Sequence, residues 1–128
     1  EAGIGYIADF VLDDRPCRLS TAHGTVLSMP YSVELNDVPL IMIQHHRADE
    51  YLTRALAQVD RLIAEAVSAG PLGGAKVMGF AIHPYITGVP HRIGVIEELL
   101  AELKRRPEVV FMQGREIRDW YLSSGDPT

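Results

Sequence analysis

Between Ala48 and Ala69 the apolar residues Tyr51, Leu52, Ala55, Leu56, Val59, Leu62, Ile63, Ala66 and Val67 recur at helical spacing, and Glu50, Arg54, Gln58, Arg61 and Glu65 fall on the opposite face. That period predicts an amphipathic helix, with Gly70-Pro71 as a left-handed cap and stop. Lys76 to Ile82 is an almost unbroken apolar run, the pattern of a parallel strand covered on both faces. Ile93, Ile96, Leu99, Leu100 and Leu103 predict a second helix. Lys104-Arg105-Arg106 fall in its last turn, where cations complement the macrodipole, and Pro107 closes it. Val109 to Met112 reads as another short buried strand, and Gly114 leads into a final helix carrying Ile117, Trp120 and Tyr121 on its apolar stripe.

Upstream of the long helix the pattern is shorter and more broken. Tyr6 to Phe10 predicts a strand, ended by Asp13-Asp14 and by Pro16, which cannot donate to a ladder. Cys17 to Thr21 and Thr25 to Met29 flank Ala22-His23-Gly24 and predict a hairpin, with Gly24 supplying the positive φ of a tight turn. Pro30 to Pro39 reads as an extended, partly ordered loop, so residues 11–47 form an irregular stretch of loop and hairpin. The strand and helix alternation is that of right-handed βαβ units, an α/β fold of parallel strands with covering helices. Three such strands leave an edge and an apolar face uncovered. The expectation is a single partial domain, residues 1–128, belonging to a larger barrel or associating to hide that surface.

Seventeen acidic against twelve basic residues give a net charge of -5, and no basic run is present. Nucleic acid and acidic membrane surfaces are therefore disfavoured as partners. Cys17 is the single cysteine, so no internal disulfide forms, and no segment approaches the roughly 20 apolar residues needed to span a bilayer. A cytoplasmic setting is expected. The N-terminus, Glu1-Ala2-Gly3-Ile4-Gly5, has neither an initiator methionine nor the basic start of a signal peptide, which suggests an excised or processed piece.

The candidate chemistry centres on Phe80-Ala81-Ile82-His83-Pro84-Tyr85, an apolar run ending in an imidazole. Parallel α/β proteins bind ligands beyond the carboxyl ends of their strands, which places His83, and Tyr85 with it, where a substrate would sit. The bland alternative is a histidine that caps a strand end by bonding a loop carbonyl. Asp9, at the end of the first strand, either orients an imidazole, touches substrate, or is a solvated loop carboxylate. Glu34, Asn36 and Asp37 occupy a loop too polar for core and stiffened by prolines. They are candidates for substrate binding, set against local turn chemistry, toward which Asn and Asp tip the balance. His91 and Arg92 are candidates to bind a substrate carboxylate or carbonyl near His83, with a solvent-exposed place at the start of the second helix as the alternative for Arg92. His45 and His46 are adjacent, so on a helix they point about 100° apart and do not chelate; one is expected to be packed and the other wet. No metal site is expected within the chain. Met42, Met78 and Met112 are expected to fill core gaps, and Trp120 and Tyr121 to pack.

Five blocks in order, Gly5 to Phe10, Asp13 to Pro16, Pro30 to Asp37, Ile82 to Tyr85 with Pro90-His91-Arg92, and Glu116 to Tyr121, resemble the C-terminal half of the polysaccharide deacetylase family. More narrowly, they are similar to its allantoinase-like branch. The resemblance implies a distorted, incomplete (β/α) barrel and hydrolysis of non-peptide carbon–nitrogen bonds in an amide, a ureide ring or an N-acetyl sugar. It also matches His83 to the histidine that protonates the leaving amine, a task suited to a side chain with an ordinary pKa of about 6.5. The family's N-terminal half carries the catalytic-base aspartate and, in metal-dependent members, an Asp and two His for a divalent cation such as zinc. Those blocks do not occur in these 128 residues. Asp9-Phe10 stands where relatives have Asp-Trp. The resemblance therefore implies that the chain alone is inactive, and that its partner is the N-terminal half of the same protein or another copy. The rival expectation is a non-catalytic module that kept the fold for binding or assembly.

Overall fold

A computed structural model describes residues 3–71 and 73–124. In chain order the elements are β1 (Tyr6–Ile7), β2 (Cys17–Thr21), β3 (Gly24–Ser28), a short π-helix (Val38–Ile43), α1 (Ala48–Ala66), α2 (Ile93–Lys104) and α3 (Gly114–Ser123). The hairpin forms as its turn chemistry dictates. β2 and β3 pair antiparallel from Cys17↔Ser28 to Thr21↔Gly24, with Gly24 at φ +118°. The Thr21 hydroxyl donates to the Gly24 carbonyl at 2.6 Å and accepts the His23 N–H at 3.1 Å. β1 adds to the other edge of β3 in parallel, Tyr6 opposite Leu27, giving the order β1-β3-β2.

α1 buries Tyr51, Ala55, Val59 and Leu62, the stripe predicted by its period, and turns Thr53, Ala57 and Asp60 to solvent. α2 buries Ile96, Leu99 and Leu103, and these meet α1 together with Leu35, Leu40, Ile41 and Ile86 in the main core. Arg106, just past α2, reaches Asp60 of α1 and ties the outer faces of the pair. α3 covers the small sheet instead, packing Tyr121 and Ile117 on Leu27, Met29 and Tyr6. Its start is fixed by a capping box between Gln113 and Glu116, whose carboxylate accepts the Gln113 N–H at 2.6 Å. Among the described residues no helix is long and apolar enough to cross a membrane.

The sheet departs from the sequence expectation. The fold is mixed α/β with a three-stranded sheet, and neither 76–82 nor 109–112 belongs to it. Residues 76–82 are half-buried, but among the described residues their backbone pairs with other backbone at two points. Val77 N–H bonds the Asp14 carbonyl at 2.8 Å, and Ala81 forms an isolated parallel bridge with Asn36. An apolar run specifies burial; a strand also needs a neighbour along its whole length. Residues 109–112 are not a buried strand either: Val110 and Phe111 are 75% and 50% exposed, as are Phe10, Val11 and Leu12 to about the same degree. β1 stops at Ile7, three residues short of Phe10. Met42, Met112 and Trp120 are exposed rather than core, and so are both His45 and His46, which lie in the non-helical link before α1.

Candidate active site

The π-helix starts at Val38 because Pro39 supplies a fixed φ in its first turn and Asn36 turns the chain: Asn36 Oδ1 accepts the Val38 N–H at 2.9 Å. Asp37 is the residue before this helix, yet its carboxylate caps nothing there. It reaches across to the segment that follows Ala81. Asp37 is fully buried and accepts three hydrogen bonds, from the His83 N–H at 2.8 Å and the Thr87 hydroxyl at 2.8 Å on Oδ2, and from His83 Nδ1 at 2.6 Å on Oδ1. Because each of these partners meets a carboxylate oxygen, the proton of the imidazole is assigned to Nδ1. Nε2 is then the nitrogen left to act. Among the described residues it has no hydrogen-bond partner, and the His83 side chain is 35% exposed.

The turn around His83 is built to hold that ring. The Ile86 and Thr87 N–H groups both bond the His83 carbonyl, at 2.9 and 3.1 Å, so residues 83–87 close on themselves. Ile86 plugs into the main core and the buried Thr87 bonds Asp37, so both residues anchor the turn. Arg92, at the head of α2, donates from Nη1 to the Ile86 carbonyl at 3.0 Å, so its role is to brace this turn. Gly88 ends it, because a Cβ there would stand 2.5 Å from the Pro84 carbonyl oxygen. Tyr85 projects from the turn, 71% exposed, with its ring edge-on to His83 at 5.5 Å between centroids. It stands against the imidazole at the exposed side of the turn.

The remaining sequence candidates are placed as follows. Asp37 takes the position of the orienting carboxylate, and Asp9 is exposed, which leaves it as a solvated loop carboxylate or a contact for substrate. Asn36 spends both ends of its amide locally, on the Val38 N–H and, through Nδ2, on the Tyr31 oxygen at 2.6 Å, as turn chemistry requires. Glu34 is exposed and accepts from Ser32 at 3.3 Å. His91 is exposed and has no hydrogen bond to the Asp37–His83 pair. Sequence reasoning missed Thr87 altogether and saw Tyr51 only as helix stripe. The signal that marks Asp37 is its place just before a proline-led helix start, and that signal points to a cap rather than to a histidine 46 residues away.

Tyr51 lies under the site, fully buried, its hydroxyl 3.1 Å from the carbonyls of both Leu35 and Ala81. Burial, reinforced by the nearby Asp37 charge, pushes the phenol above its usual ionisation range, so it remains a donor. Among the described residues no three His, Cys, Asp or Glu side chains stand together to hold a metal ion.

No family model matches the chain, and no curated protein matches it. Among solved structures it is similar to the crystal structure of a probable polysaccharide deacetylase from Pseudomonas aeruginosa PAO1, with a TM-score of 0.80 and 22% sequence identity. The match covers 95% of this chain and 40% of that one. The fold is therefore that of a portion of a deacetylase-like protein, and the chain spans 40% of that neighbour's length.

Proposed function

We propose that this chain supplies the proton donor of a hydrolase that cleaves non-peptide carbon–nitrogen bonds, with His83 as general acid. The observation that carries this is the buried Asp37 bonded to Nδ1 of a half-exposed His83 whose Nε2 has no partner among the described residues. Water adds to the amide carbon, and the carbon–nitrogen bond then breaks as the departing nitrogen takes the proton from Nε2 of the imidazolium. The ring is left neutral, with its remaining proton on Nδ1 and still bonded to Asp37. The resemblance assigns activation of the water to an aspartate outside these residues, so catalysis requires polypeptide beyond them. Any cation would be held by that polypeptide too. Tyr85, Asp9, Glu34 and His91 are the substrate-facing candidates.

The narrower substrate is a cyclic ureide such as allantoin, with N-acetylated sugars as the broader class. The test is release of product from allantoin and from an N-acetylglucosamine oligomer by the intact protein, compared with its His83→Ala variant. Turnover by the unaltered protein and a fall of about 10²- to 10⁴-fold in the variant are expected. Equal turnover in the two removes His83 from the chemistry.

A second reading is favoured by the exposed apolar runs at Phe10–Leu12 and Val110–Met112. They suit a module whose task is association, either with N-terminal sequence of the same protein or with another copy, and which does no chemistry. Cytoplasmic location goes with either reading.

A further inference from the structure

The two segments that bring Asp37 and His83 together are joined by very little backbone. Ala81 N–H bonds the Leu35 carbonyl at 2.8 Å, and Asp37 N–H bonds the Ala81 carbonyl at 3.3 Å. A ladder of one bridge pair resists shear poorly, and a shift of one residue between the two segments displaces each side chain by about 3.3 Å along the other segment. Such a slip would part the Asp37 carboxylate from the imidazole. Leu35 stands two residues before Asp37, and Ala81 two residues before His83. Asp37 already has the helical dihedrals of the element it opens, and it follows the Asn36–Ala81 bridge directly, so a group gripping Leu35 and Ala81 fixes the two segments just before both side chains leave them.

We propose that the Tyr51 hydroxyl is that grip: a positioning residue which locks the register between Leu35–Asp37 and Ala81–His83 and thereby holds His83 on Asp37. Its oxygen is 3.1 Å from each carbonyl, and its single proton is shared between them. The ring stands on the first turn of α1, and the helix is anchored in the main core by Ala55 and Val59. The grip is therefore tied to the most regular element of the fold rather than to another loop. Each carbonyl also keeps one backbone donor, so removal of the hydroxyl loosens the register while leaving the fold standing.

The test is Tyr51→Phe, read by the exchange of the His83 Nδ1 proton with water in ¹⁵N-edited NMR. With circular dichroism unchanged, exchange about ten-fold faster is expected, the population shift that follows loss of one net hydrogen bond. Replacement of Tyr51 by 4-aminophenylalanine, which restores a donor at the same place, brings the exchange rate back. An unaltered rate in the folded Phe variant, or no recovery with the amino group, overturns the proposal. Should the Phe variant unfold, the unaltered protein decides. A slowly exchanging Tyr51 hydroxyl proton with cross-peaks to the Asp37 and Ala81 amides, which share its acceptors, supports the grip; its absence overturns it. Only the effect on turnover, a lower kcat at unchanged KM, rests on His83 being the acid. Faster exchange with undiminished kcat rejects that acid role and leaves the grip in place.

Discussion

Asp37 decides what His83 can do. A carboxylate accepts at every lone pair, and here the imidazole, a backbone N–H and a threonine hydroxyl all point at it with no solvent between. Asp37→Asn keeps the shape and changes the chemistry. Its one oxygen must serve the backbone and Thr87, so its amide N–H faces Nδ1 and drives the ring proton to Nε2. A fall in kcat of about 10²- to 10⁴-fold is expected, with KM little changed, measured by steady-state kinetics on the intact protein. A rate equal to that of the unaltered protein contradicts a tautomer role. His83 was visible from its sequence alone, because an apolar run that ends in His-Pro is easily seen. Asp37 was visible as a residue and not as a partner: nothing local says that a side chain in a polar loop turns inward.

At the scale of elements, the turn 83–87 is the part most exposed to damage by a small change. Gly88→Ala places a methyl carbon against backbone atoms of Pro84, which cannot rotate away. A loss of about 1–3 kcal/mol is expected in urea unfolding, together with broadened His83 ring signals, as in an overpacked core. Unchanged stability would mean that the turn is looser than its hydrogen bonds indicate. The helices were legible in the sequence because amphipathic period depends only on which side faces the core; α1 and α2 follow it, and α3 follows it at Ile117 and Tyr121 while Trp120 turns outward. The hairpin was legible through Gly24. The strands at 76–82 and 109–112 were not, since pairing depends on a neighbour that the pattern does not encode. The short π-helix escaped notice because six residues carry too little period to separate it from loop.

At the scale of the whole molecule, the described residues hold two bodies of apolar packing, one around α1 and α2 and one between α3 and the small sheet. The apolar runs at 10–12 and 110–112 stay exposed, an arrangement suited to further polypeptide. Association at micromolar concentration is expected in light scattering, and Phe10→Ser with Phe111→Ser is expected to weaken it; a monomer in both cases removes the assembly reading. The catalytic reading is tested most directly by leaving-group dependence in His83→Ala. If His83 delivers the proton to the departing nitrogen, its loss slows an alkyl amide by about 10²- to 10⁴-fold while a nitroanilide, which departs without a proton, is little affected. An equal loss on both substrates contradicts it.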